Sequence, residues 1–251
     1  MIIRKSKREI EQMQEAADIL VKCHKEIEKM IKPGITTMEI DTFVEQFLAN
    51  HGATAEQKGF NGYPYATCAS LNDEICHGFP RNEKLVDGDI VTIDMVVNYK
   101  GGLADSAWTY AVGNVDEKGR RLMDVTKTAL YKGIEQARAG NRIGDIGHAI
   151  QTYAEGEGFS VVREFTGHGI GPTIHESPHI PHFGEPNKGL RLKEGMVITI
   201  EPMINEGDWK SKMDGNNWTA RTVDGSRSAQ YEHTIAITKG DPIVLTEQDE
   251  D

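Results

Sequence analysis

The chain is poor in cysteine and in positive charge, and it lacks any long apolar run. Its three cysteines are Cys23, Cys68 and Cys76. An odd number at wide spacing does not describe a disulfide framework, and a reducing cytosol fits better. No apolar stretch approaches the ~20 residues of a membrane span, and Met1 to Glu11 has no apolar centre, so neither a membrane protein nor a signal peptide is expected. Lys and Arg number 28 against 39 Asp and Glu, a net charge of −11, which argues against a nucleic-acid-binding protein. The one basic cluster, Arg4-Lys5-Ser6-Lys7-Arg8, reads as a solvated helix end, and the tail from Glu247 to Asp251 as a solvated acidic end. Three catalytic signatures are also missing. There is no Gly-x-Ser-x-Gly elbow, no Gly-x4-Gly-Lys-Ser/Thr loop, and Cys68 and Cys76 have no catalytic partner by spacing. Gly167-His-Gly-Ile-Gly-Pro has the wrong glycine spacing for a dinucleotide fingerprint.

What is present is an ordinary soluble composition, 38% hydrophobic and 27% charged, which excludes disorder. Ser6 and Glu9 form a capping box, and apolar residues then recur from Ile10 to Met30 at helical spacing. Lys32-Pro33-Gly34 stops that helix. Thr36 and Glu39 open a second, with Ile40, Phe43, Val44, Phe47 and Leu48 as its buried stripe. Residues 86–112 change period and read as a hairpin around Gly101-Gly102. The second half repeats this order. Residues 118–138 read as an amphipathic helix. Ile40, Val44, Phe47 and Gly52 then fall on Ile146, Ile150, Tyr153 and Gly158, and Asp87 to Asp94 falls on Glu194 to Glu201. The expectation is an α+β fold in one catalytic domain, residues 1–251, with internal halves of about 1–115 and 116–246 around a central antiparallel sheet.

Two aspartates stand out in the hairpin. A turn centred between Tyr99 and Lys100 sets Asp94 directly opposite Asp105, with Cβ atoms ~5 Å apart. Two carboxylates so placed repel, so either one is protonated, or a cation lies between them, or a bulge separates them. Glu201 occupies the matching position in the second half, and Glu232 is expected to partner it. Four converging carboxylates would be balanced by two divalent cations, and oxygen ligands suit Mn, Fe, Co or Zn. His168 sits among Gly167, Gly169 and Gly171, a frame that allows close backbone approach beside an imidazole; by itself it is as well read as a core histidine. His77 and His175 are candidates for proton transfer or oxyanion stabilisation near such a centre.

Taken together, Ile-Asp94-Met-Val, Ala-Asp105-Ser-Ala, Thr-Gly-His168-Gly-Ile-Gly, Ile-Glu201-Pro-Met and Gln-Tyr-Glu232-His-Thr resemble the type I methionine aminopeptidases, from helix one to about Ile243. The resemblance implies a pita-bread fold of two pseudo-twofold halves. It also implies two divalent metals, with Asp105 and Glu232 bridging, Asp94 chelating one, and His168 and Glu201 completing the other. Glu201, His77 and His175 would act in catalysis, and both histidines would touch substrate. The methionine pocket matches Tyr63, Cys68 and Trp218, with Phe60 as a weaker match. Two departures stand against the pattern: Ile174 where many relatives carry an aromatic, and Asn216-Asn217 lengthening the approach to Trp218. The implied activity is removal of the initiator methionine ahead of a small second residue. The implied partners are N-terminal Met peptides of nascent chains, with the ribosome a further candidate, for a cytoplasmic monomer. Competing readings are a proline-directed aminopeptidase or dipeptidase of the same fold, and a non-catalytic binding module.

Overall fold

The structure, a computed structural model, describes residues 2–248, so Asp249, Glu250 and Asp251 of the acidic tail lie outside the described residues. Both capping boxes form. Ser6 and Glu9 open α1 (Lys7–Met30), and Thr36 and Glu39 open α2 (Thr37–Asn50). Each box satisfies backbone N–H groups that a helix start leaves without partners. The buried stripe of α1 is Met13, Ala16, Ala17, Leu20, Cys23 and Ile27, with His24 among them. A four-stranded sheet carries β1 (Cys68–Leu71), β2 (Ile90–Tyr99) and β3 (Gly102–Ala111); β1 pairs with β2, and the stripe packs against the β2–β3 hairpin. Burying a side chain such as Leu20 there contributes about 2 kcal/mol.

The second half repeats the plan, as the sequence repeat implies. The helix α3 (Glu117–Ile134) is capped by Asp116 and stops short of the expected residue 138; α4 (Ile143–Gly156) follows. Here β5 (Val197–Ile200) lies between β4 (Gly167–Gly169) and β8 (His233–Ala236), and α3 packs against β5, β6 (Met203–Asn205) and β7 (Ser228–Gln230). All strand pairings are antiparallel. The two halves meet along a seam. Thr234 Oγ1 accepts the Asp105 N–H at 3.0 Å and donates to the Asp105 carbonyl at 2.8 Å. Thr109 Oγ1 does the same for Gln230, at 3.0 and 2.7 Å.

Two expectations are corrected. The hairpin turns on Lys100 and Gly101, both at positive φ (52° and 86°), rather than between Tyr99 and Lys100. Positive φ at both central residues is what a two-residue hairpin loop requires. Asp94 therefore faces Ala107, and Asp105 faces Val96. The aspartates are diagonal neighbours on one face, not a directly opposed pair. The basic cluster is also not a simple solvated end: Lys5 is 6% exposed and its ammonium contacts Glu176. Arg4, Lys7 and Arg8 are exposed as expected.

Candidate metal centre and substrate cavity

Asp94 and Asp105 project from β2 and β3 into a cavity of about 540 Å³. Glu201 follows β5 and Glu232 precedes β8. The pairs Ile200–His233 and Met203–Gln230 keep one register across the break between them, which sets Glu201 opposite Glu232. Pro202 has no N–H to give the ladder at that break. His168 is the middle residue of β4, and its Nε2 lies 3.6 Å from both Asp105 Oδ2 and Glu201 Oε1. Ligand atoms of Asp105, His168 and Glu232 all lie within 4.8 Å of one another. The structure thus brings together all five residues singled out in the sequence.

Electrostatics shows how costly this arrangement is for a bare protein. Burial raises the Asp105 carboxyl to about 7. Burial, then the Asp105 charge, raises Glu201 to about 8. Burial and the neighbouring carboxylates push Asp94 and Glu232 well above the usual range. Asp105 Oδ1 and Glu232 Oε1 are buried without a hydrogen-bond partner. Four oxygen donors and one imidazole, with two orphaned oxygens, fit hard or borderline divalent cations.

The glycines around His168 serve space. A Cβ on Gly167 would lie 2.4 Å from the Thr199 carbonyl oxygen, and one on Gly169 2.6 Å from that of Ser177. Thr199 was not legible as a site residue. Its hydroxyl accepts the His168 N–H at 3.0 Å and donates to Glu201 Oε1 at 2.7 Å. His182 was also missed; its Nε2 accepts the Glu201 N–H at 3.1 Å. Gln57 holds the ligand-bearing strand, donating to the Asp94 carbonyl at 3.1 Å and accepting the Val96 N–H. The only sequence signal for Thr199 is a hydroxyl in an otherwise apolar strand two residues before Glu201.

The remaining candidates line the same cavity: His77, His175, Tyr63, Cys68, Trp218 and Phe60. His175 stands edge-on to His168 with ring centroids 4.4 Å apart, and to Phe60 at 5.3 Å. Partial desolvation and then the neighbouring histidines lower its pKa to about 4, although the residue keeps an exposed face. His77 holds a positive φ of 55°, a strain that recurs at functional sites, and packs on Phe165. Burial lowers its pKa. Trp218 packs on Tyr63 at 5.1 Å. With both departures present, Ile174 and Trp218 still line the cavity. Ile174 is buried and apolar. Asn216 caps a turn, its Oδ1 accepting the N–H of Trp218 and of Thr219 at 2.9 Å each, with Asn217 at a φ of 61°. Phe165 and Met203 also line the cavity and were not foreseen.

Residues 11–239 match the model of metallopeptidase family M24. The chain belongs to that family. Within M24 it falls among the methionine aminopeptidases. Over 246 residues it is 50% identical to methionine aminopeptidase 1 of Bacillus subtilis, covering 98% of this chain and 99% of that one. The crystal structure of methionine aminopeptidase from Rickettsia prowazekii superposes with a TM-score of 0.97 at 40% identity, covering 98% of this chain and all of that one. The prolidase of Pyrococcus horikoshii shares the architecture at a TM-score of 0.80, but at 25% identity and over 65% of its own length. The M24 pita-bread architecture is therefore the fold, and the methionine aminopeptidase branch is favoured over the proline-directed one.

Proposed function

We propose that the chain removes the initiator methionine from nascent proteins, preferring a small second residue. One observation carries the reading: a single cavity is lined by five metal-type donors, three of them grouped within 4.8 Å, together with an apolar, sulfur-containing wall of Tyr63, Cys68 and Trp218. Asp94, Asp105, His168, Glu201 and Glu232 would hold two divalent cations among Mn, Fe, Co and Zn. When bound, such cations acidify water, polarise a carbonyl and bind a free amine. That last property restricts cleavage to a chain end.

The side chains do the rest. Tyr63, Cys68, Trp218 and Phe60 receive the unbranched thioether, which packs favourably against aromatic edges. Glu201 takes a proton from the attacking water and passes it to the departing amine; the Thr199 hydroxyl, donating to its Oε1, orients the carboxylate. His175 stabilises the developing oxyanion and His77 contacts the scissile amide. Both are held largely neutral at pH 7, His77 by burial and the more exposed His175 by partial desolvation and its histidine neighbours, so each presents a hydrogen-bond donor without a competing charge. We assign residues 1–251 to one catalytic unit, acting as a cytoplasmic monomer on chains emerging from the ribosome. No helix among the described residues is long and apolar enough to cross a membrane.

The test is to strip metal, add back Mn, Fe, Co or Zn singly, and measure cleavage of Met-Ala-Ser against an X-Pro substrate. Cleavage of Met-Ala-Ser is expected with at least one metal. Activity on X-Pro alone, or with none of the four, would refute the reading.

A further inference from the structure

Residues 171–175, between β4 and the strand Glu176–Ile180, form a run of bends. Two hydrogen bonds run within it: the Gly171 N–H to the Thr173 carbonyl at 3.2 Å, and the Thr173 hydroxyl to the His175 carbonyl at 3.4 Å. No strand pairing fixes His175, although its ring must meet the substrate at a defined angle. Its two neighbours are anchored, and Glu176 also pairs with Gly169 where the next strand opens. Ile174 is 4% exposed in the core built on α1. Glu176 Oε2 accepts the Lys5 ammonium at 2.5 Å, with side chains 10% and 3% exposed.

Lys5 is itself held from outside this segment. Its N–H donates to the Gly195 carbonyl at 2.6 Å, and Arg4 Nε to the Glu194 carbonyl at 2.6 Å. The pair lies against Gly171: a Cβ there would lie 2.6 Å from Glu176 Oε1 and 2.5 Å from Lys5 Cε, so the two side-chain ends would have to shift. Two charges taken out of water tolerate few geometries, because only close pairing offsets their desolvation. Such a pair is a stiffer anchor than a run of bends.

We propose that Lys5 and Glu176 are positioning residues for the reaction: their buried pair, lodged against Gly171, fixes the direction of the His175 imidazole over the cavity. The N-terminal segment, 171 positions away in sequence, thereby becomes part of the active-site frame. What His175 does once placed rests on the function proposed above.

The experiment uses the full chain with two perturbations. The double variant Lys5→Met/Glu176→Gln removes both charges at similar volume, and Gly171→Ala keeps both charges but crowds them. The first readout is the His175 ring signal (Hε1–Cε1) in metal-free protein, assigned by its loss in His175→Ala. Both perturbations are expected to shift or broaden that signal while His24 and His182 stay in place. The second readout is Met-Ala-Ser kinetics: kcat is expected to fall at least about tenfold with KM nearly constant, and Lys5→Arg to retain most activity. In a His175→Ala background the same perturbations should cost nothing further. An unmoved His175 signal, or losses that multiply with His175→Ala, would overturn the proposal. If the wild-type protein fails to cleave Met-Ala-Ser, the reading of the site fails, and the ring signal still decides the pair. If the double variant does not fold, Gly171→Ala carries both readouts.

Discussion

The two halves of the molecule build the same ladder and load it differently. In the first, Asp94 faces Ala107 and Val96 faces Asp105, so the donors sit diagonally. In the second, Glu201 faces Glu232, and Met203 faces Gln230. The seam residues keep the symmetry: Thr234 clamps both backbone groups of Asp105, and Thr109 clamps both of its counterpart Gln230. The connections do not. A two-residue turn closes the first ladder, while the second passes through the strands Ser211–Met213 and Ala220–Thr222 and delivers Trp218 to the cavity between them. The two halves share a frame, and its symmetry is broken at the positions facing the cavity.

Glu201→Ala tests that asymmetry most severely. Turnover of Met-Ala-Ser is expected to fall by ~10³-fold or more, about 4 kcal/mol of transition-state stabilisation; near-normal kcat/KM would mean the first-half carboxylates suffice alone. Next comes the pH dependence of the metal-free protein. Asp105 and Glu201, raised to about 7 and about 8, bind protons in the folded state that the unfolded chain has released. Stability therefore falls as pH rises through that range. Buried His24 and His233, lowered to about 4 and about 3, act in the opposite sense, but only below their unfolded pKa near 6.5. Between pH 6.5 and 8.5 the carboxylates decide, so thermal melting should drop over this interval, and saturating metal should flatten the drop. A metal-free melting temperature that rises there would contradict the buried-carboxylate account.

The seam offers a finer cut. Thr109→Val and Thr234→Val each strand two backbone groups, and each should lower unfolding free energy by about 1–3 kcal/mol in urea titration. Thr234→Val, which releases Asp105 itself, should weaken metal binding measured by calorimetry more than Thr109→Val, whose partner Gln230 reaches the donors only through a 3.4 Å contact to Glu201. Equal metal affinities would show that the frame is symmetric in effect as well as in form. The smallest expected effect lies in the connections. Gly101→Ala, at a φ of 86°, should cost about 1 kcal/mol of stability and leave KM alone. Asn216→Ala, which removes the caps on the Trp218 turn, should raise KM for Met-Ala-Ser a few-fold, roughly 1 kcal/mol, with little change in melting.

Much of this was legible because local rules and the fold agree. The capping boxes placed α1 and α2, and the repeat placed Glu201. The hairpin register was misread because Tyr99-Lys100-Gly101-Gly102 offers more than one turn, and a lysine at positive φ is not a sequence signal. The site survived the error because the shift is by two residues, which keeps every side chain on its face. His182 and Gln57 escaped because they act on backbone groups brought near only by folding, and Thr199 because a hydroxyl two residues before Glu201 gives no sign that it also takes the His168 N–H. Lys5 was read as solvated because its partner Glu176 is distant along the chain, and charge patterning sees only neighbours.

His168 stands between two positions where the smallest possible side chain, a methyl, would meet a backbone carbonyl rather than a movable side chain. Such oxygens cannot swing aside; admitting the methyl means prying β4 from its neighbours and carrying the imidazole with it. For anyone remodelling this enzyme by random mutation, Gly167 and Gly169 are a mould wall. They offer no graded route, and variants that retune the donor shell will arise at the carboxylates or in the long second-half connection instead.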